Sequence, residues 1–314
     1  MARREAVPTP HGPGAREAVT TPVTHNLTAI GLMIVAVMLL TVLDTSAKLL
    51  TANLPSVQIV WVRLLGHQIL VTLIAVALEG PGVLRARKPG LQALRSLMLT
   101  ASTLCNFAAL AYLPLSTTSA IFFSVPLWTA ALAVLLLGER VGPRRWTCIA
   151  LGFVGVLIII RPGPDILQSA TLIACCTAVF ASLYNLSTRA LAGADTTQTT
   201  QAYSALSGVI ILAPVMPFVW VTPPHALDWL LLAMTGVFGA AGHYCIILAH
   251  RYAPASVIAP FIYPQIVFMT LSGFVIFGDL PDIYVVLGAA LVISSGLYLW
   301  HRERVLAKRA SLPI

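Results

Sequence analysis

The sequence predicts an all-α integral membrane protein with ten transmembrane helices. Composition is the first reason: of 314 residues, 58% are hydrophobic and 10% charged, against about 45–50% and about 25% in soluble domains. Too few polar side chains remain to cover a water-facing surface. That excludes a soluble enzyme, a secreted disulfide scaffold and a disordered chain. Spacing is the second: apolar runs of roughly the 20 residues needed to cross about 30 Å of hydrocarbon recur throughout. Charge placement is the third. The net charge of +8 sits in short gaps between the runs, as topology signals do, with no basic patch suited to nucleic acid.

Residues 1–26 hold four prolines, several threonines and mixed charge, so a disordered cytoplasmic tail is expected. They lack the basic, apolar, small-residue order of a signal peptide. Spans are expected at 27–50, 57–79, 91–112, 117–137, 146–161, 166–191, 200–220, 227–249, 256–277 and 283–300. The fifth is short and carries Gly152 and Gly155. A basic cytoplasmic tail is expected at 303–314. With the N-terminus inside, sixteen of the nineteen Lys and Arg residues face the cytoplasm and only Arg161 faces outward. The other two, Lys48 and Arg63, fall inside spans. The expected location is the inner membrane, multi-pass, with both termini cytoplasmic. All five cysteines (Cys105, Cys148, Cys175, Cys176, Cys245) lie in apolar runs without CxxC spacing, as small core fillers do.

The halves echo each other. A shift of 140 residues places Tyr112 on Tyr252, Pro114 on Pro254, Ser116 on Ser256, Gly138 on Gly278 and Glu139 on Asp279. A shift of 141 places Asp44–Lys48 on Asn185–Arg189, while Pro126 and Pro264 miss register by two. If each half has five spans, an odd number, the second starts on the opposite membrane face. The repeats must then be inverted, an arrangement typical of secondary transporters with a midplane site.

The segments Asp44 to Arg63 and Ala111 to Trp146 resemble the first repeat of EamA-type drug/metabolite transporters. Ala253 to Pro264 (APASVIAPFIYP), FGDLPD from Phe277 and LGAALVISSGLYL from Leu287 resemble the second. Asp279 departs from the family pattern, which has Glu after this Gly; at a helix end, it bears on packing or gating. The resemblance covers about residues 27–302, divided as 27–161 and 162–302. It implies two inverted five-helix repeats around a central cavity. Among members, the chain is most similar to the amino-acid exporters grouped with YddG.

Embedded polar groups are the candidate site, since a charge at the bilayer centre costs at least ~2.5–3.5 kcal/mol. Asp44 and Lys48 form an i,i+4 pair in the favourable order, and Arg63 reaches a depth similar to Asp44. Either they neutralise one another or they hold a zwitterionic substrate, with Asp44 the carboxylate available to take up a proton. Asn106, Asn185 and Gln265 are expected to face the bundle interior, as interhelical hydrogen-bonding groups or as cavity lining, and His67 and His243 to be satisfied hydrogen-bonding groups or a proton relay within the site. Trp128, Tyr184 and Tyr263 offer faces for a flat side chain. Gly236, Gly239 and Gly242 permit close backbone approach. Lys48, Pro126, Pro260 and Pro264 are the gating candidates, the prolines by interrupting helices. A metal triad, paired carboxylates or a nucleophile with its base is missing, so an enzyme is not expected, and neither is a cofactor. A channel filter is missing too. The expected function is export of amino acids, aromatic and other neutral ones, or related metabolites by alternating access. The alternative is import or exchange of S-adenosylmethionine or a nucleotide-like compound. The expected partners are a small-molecule substrate, the bilayer and protons, with the chain a monomer.

Overall fold

The structure, a computed structural model, describes residues 22–137, 143–160, 166–191, 194–252 and 259–310, with no strand among them. It opens with α1 (Pro22–Leu50), α2 (Ser56–Glu79) and α3 (Pro89–Leu110). The short α4 (Leu115–Phe122) and α5 (Val125–Leu137) form one broken rod, followed by α6 (Pro143–Ile160) and α7 (Ile166–Leu191). Three short helices come next, α8 (Thr197–Ala202), α9 (Leu206–Leu212) and α10 (Met216–Val219), then α11 (Ala226–Tyr252). A 3-10 turn over Ala259–Ile262, α12 (Pro264–Ser272) and a π-helical turn over Gly273–Phe277 make a second broken rod. The last helix is α13 (Ile283–Ala310). Among the described residues, seven stretches are long and apolar enough to cross a membrane, and Trp146–Ile159, Pro264–Phe277 and Ile283–Tyr298 are shorter apolar helices.

Three boundaries differ from the sequence reading. Helix α1 is already helical at Pro22, the first described residue, so it includes residues 22–26, expected in the tail, while its apolar span runs Leu27–Leu50 as expected. Helix α13 continues to Ala310 through the segment expected to be a tail. Arg, Glu, Leu, Ala and Lys there are strong helix formers that extend the ladder after the apolar run ends. The span expected at 200–220 is broken into α8, α9 and α10. Pro214 and Pro217 remove two backbone donors from it. Side chains of α2 bond backbone groups along and just past this broken stretch, the kind of contact that lets broken helices exist at membrane depth. Gln58 donates to the Val221 carbonyl at 2.8 Å and accepts from the Val221 N–H at 2.8 Å. Trp61 donates to the Val209 carbonyl at 3.2 Å, and Gln68 donates to the Ala202 carbonyl.

Packing pairs α1 with α11, α3 with α7, and α6 with α13, while α2 also lies on α11. Without a hydrophobic drive between helices in lipid, small residues set the contacts. A Cβ on Gly236 would stand 2.9 Å from the Gly66 Cα, so α2 and α11 touch backbone to backbone. Gly239 faces Leu43, Arg63 and His67, and Gly242 faces Leu40 and the Ala36 carbonyl. The close backbone approach expected of these glycines is present at Gly236 and, at 3.4 Å, at Gly242, whereas Gly239 meets side chains. Large apolar side chains such as Leu73, Ile210, Phe218 and Val275 point outward, a surface that hydrocarbon covers and water would not.

Candidate functional site

Asp44 lies on the inward side of α1. Val35 and Val42, both exposed, stand roughly 180–200° around the helix from it at about 100° per residue. It is nevertheless only half-buried, so its accessible part faces the interior. Asn106 of α3 donates to its Oδ1 at 3.2 Å. Arg63, 8% exposed, donates from Nη1 to Thr103 at 3.0 Å and lies 5.5 Å from the centre of the Phe107 ring. One turn along α2, the ring of buried His67 meets His243 of α11 edge-on at 5.7 Å. Four helices thus contribute to one polar cluster. The two charges in it are not an ion pair: nothing within 4.0 Å joins Asp44 to Arg63 or to Lys48.

Lys48 bonds Asp279 at 2.8 Å instead, donates to the Leu113 carbonyl at 3.1 Å, and sits 4.7 Å from the Phe277 ring centre. The intrahelical pairing expected with Asp44 is replaced by one joining α1 to the end of the second broken rod. Gly278 makes this possible. Its φ of 70° is left-handed, which glycine alone adopts without strain. It ends the helix with N–H bonds from Gly278 to Phe274 and from Asp279 to Gly273. The chain is turned so that Asp279 faces Lys48.

A second clasp lies at the other end of α3, roughly 22 Å away at 1.5 Å per residue. Arg95 is buried and donates to the Thr188 hydroxyl at 2.7 Å, the Thr200 carbonyl at 2.9 Å and the Ser204 hydroxyl at 2.9 Å. It also bonds the Tyr184 hydroxyl, with its guanidinium 4.4 Å from that ring's centre. Nearby, Asp195 accepts from the Arg87 N–H at 2.6 Å and from Gln92 at 2.9 Å. Each clasp ties the first half of the chain to the second.

The aromatic candidates separate. Trp128 meets Phe153 edge-on at 4.6 Å, and Tyr263 meets Phe123 at 5.4 Å with its hydroxyl seated over Gly296. Tyr184 belongs to the Arg95 clasp. Gln265 is buried near the start of α12, whereas Asn185 is exposed, a correction to the buried partner expected of it. Its helical neighbours Ala178, Ala181 and Ser182 are buried, so Asn185 marks where that packed face opens. Pro126 follows the Phe123–Ser124 break and is exposed, and Pro264 opens α12. Pro260 lies in the 3-10 turn. Gly138, Glu139, Pro254 and Ser256 of the repeat lie outside the described residues.

Sequence reasoning missed Thr103 and Phe107 beside Arg63, and counted Arg95 among the cytoplasmic charges. One signal was available. Arg95, Ser102, Thr103 and Asn106 recur near the helical period and form a polar stripe along α3.

The EamA-like transporter family model matches this chain twice, over residues 27–161 and 168–300. The chain is 25% identical over 278 residues to an S-adenosylmethionine uptake transporter of Rickettsia felis, covering 88% of this chain and 94% of that one. It is 29% identical to a riboflavin transporter of Vibrio cholerae, covering 79% and 85%. It is 25% identical to the pseudopaline exporter CntI of Pseudomonas aeruginosa, covering 83% and 92%. A solved structure described as a crystal structure of a protein has the same fold, with a TM-score of 0.61 at 19% identity, covering 91% and 99%. With apolar helices on the outside and polar groups gathered within them, the twice-matched chain belongs to the EamA-like transporter family, a multi-pass membrane transporter of small molecules and not an enzyme.

Proposed function

We propose that the chain is a secondary transporter of ten spans in two inverted repeats, 27–161 and 162–302, exporting amino acids or amino-acid-bearing metabolites by alternating access. The observation that carries the reading is the interior cluster. Asp44, Asn106 and His243 stay partly accessible on helix faces turned away from the exposed apolar side, beside buried Arg63 and His67. Such groups inside a membrane mark a substrate or ion path. Asp44 with Asn106 suits an ammonium, Arg63 suits a carboxylate, and the Trp128 and Tyr263 groups suit a flat or apolar side chain. The relatives differ in cargo and direction, uptake of S-adenosylmethionine in one and pseudopaline export in another. They support a small-molecule cargo, and the first keeps the alternative of S-adenosylmethionine or a nucleotide-like compound.

The pairing of helices supports inversion. Exchanging the first five spans with the last five turns the α1–α11 contact into the α7–α3 contact, and returns the α6–α13 contact to itself. The two broken rods also exchange. Charge bias supports cytoplasmic termini in the inner membrane, which puts Lys48–Asp279 at the outer end and Arg95 at the inner end. The two clasps are then the gates, each opening in one of the alternating states.

Efflux from cells or proteoliposomes preloaded with labelled amino acids tests this. Faster loss of several amino acids than in protein-free controls is expected, while loss of none removes the amino-acid reading and sends the assay to S-adenosylmethionine and nucleotides. Asp44→Asn is expected to flatten the pH dependence of wild-type efflux, because it removes the carboxylate set deep in the site. An unchanged profile at normal expression ends the proton role of Asp44.

A further inference from the structure

We propose that the interior seat binds cargo of net negative charge, through an anionic oxygen group docked on Arg63 and His67. The inference rests on the transport reading above and adds the charge class of the cargo. Arg63 is 8% exposed and His67 4%, yet the Arg63 Nε and the His67 Nε2 are both buried without a hydrogen-bond partner. Both side chains converge on Gly239: a Cβ there would stand 3.7 Å from the Arg63 Nε and 3.8 Å from the His67 Nδ1. The guanidinium has one hydroxyl bond and one ring face, with no described carboxylate within 4.0 Å and Asp44 acting on it only from beyond that distance. A buried cation left so is costly, and an oxyanion supplies the charge-assisted bonds it lacks.

The charge sum points the same way. Lys48 is neutralised by Asp279. Arg95 is held by hydroxyls and a carbonyl rather than an acid. Within the spans, among the described residues, Arg63 and Arg95 therefore stand against Asp44, while the buried carboxylate of Asp228 is held at the first turn of α11 by Asn53 and the His225 N–H. A cationic cargo adds to the excess, a zwitterion leaves it, and a net-negative cargo cancels it. An inside-negative membrane potential drives such cargo outward, on the order of fiftyfold per 100 mV for each net charge. The seat thereby favours export and disfavours the S-adenosylmethionine alternative, whose sulfonium is cationic.

The test is thermal stabilisation of the purified full-length protein by matched probes at millimolar concentration and constant ionic strength. The sets are benzoate against benzamide, and glutamate against glutamine and lysine. The anionic member of each set is expected to raise the melting temperature more than its neutral or cationic counterparts. Arg63→Gln is expected to weaken the anion's apparent affinity roughly 10- to 100-fold, with Arg63→Lys losing less. Equal shifts from benzamide or lysine overturn the proposal. So does no shift from either anion, or wild-type anion affinity in a folded Arg63→Gln protein. If Arg63→Gln does not fold, the charge preference of the wild type decides alone. Transport of neutral or cationic metabolites without anion preference would leave the transporter reading standing and remove this one.

Discussion

Gly155→Leu and Gly288→Leu are each expected to remove most of the folded protein. At the α6–α13 crossing, a Cβ on Gly155 would stand 2.8 Å from the Gly288 carbonyl oxygen, and one on Gly288 would stand 2.6 Å from the Gly155 carbonyl oxygen. Both obstacles are backbone, which cannot rotate aside as a flexible side chain can. Overpacking of this kind costs roughly 1–3 kcal/mol even for modest insertions, and a leucine must drive the whole contact apart. Van der Waals packing is the main force joining helices in lipid, so nothing else compensates. Gly31 is the control: it is exposed on α1 and an added Cβ meets nothing within 4 Å. Gly31→Leu is expected to leave yield and melting temperature unchanged. Size-exclusion profiles and thermal melts in detergent read all three. A Gly155→Leu protein with the wild-type melt would mean that this crossing does not need its close approach.

Reversing the outer clasp is expected to have the second largest effect. Lys48→Asp places two carboxylates beside the Leu113 carbonyl, where an attraction at 2.8 Å stood. The side chains keep 15% and 32% of their exposure, so solvent screens the pair and its loss alone is worth roughly 1 kcal/mol. Adding repulsion brings the change to roughly 2 kcal/mol, about thirtyfold in the balance between closed and open outer gate. Transport in proteoliposomes should fall severalfold, because a carrier stalled in one state cannot cycle. The double reversal Lys48→Asp with Asp279→Lys restores opposite charges and should recover a large part of the rate. A single reversal that transports at the wild-type rate would remove the gating role from this pair.

The two predictions differ in how much of their basis the sequence carried. Gly155 stood out as one of two glycines in a short apolar run, yet its partner Gly288 lies 133 positions away and nothing local pairs them. Lys48 was legible as an embedded charge, and the partner its spacing offered was Asp44, one helical turn away, with Arg63 the other candidate for that acid. The structure pairs Lys48 with Asp279, because Gly278 turns the end of the second broken rod toward α1. Asp44 is left to Asn106 on another helix. Local spacing identifies which side chains need a partner, and it favours the partner nearest in sequence.

The broken helices divide in the same way. The break before Pro126 and the turn before Pro264 were legible because proline lacks an N–H. The break across 200–220 carried the same mark in Pro214 and Pro217, but a run this apolar reads as a single span. What makes the interruption tolerable is the set of α2 side chains that bond backbone groups along and just past it.

Composition, the recurrence of apolar runs and the short family motifs determined by themselves that this is a helical membrane transporter of the EamA-like family. Each is a property of neighbouring residues, and the bilayer imposes the same length and polarity on every segment that crosses it. Only the tertiary structure decided that Lys48 meets Asp279, that Arg95 is a buried clasp, and that Arg63 lies among Thr103, Phe107 and Gly239 with its Nε unpartnered. Those contacts depend on which helix faces which and at what height. Packing of small residues between distant segments sets that, and one-dimensional spacing does not encode it.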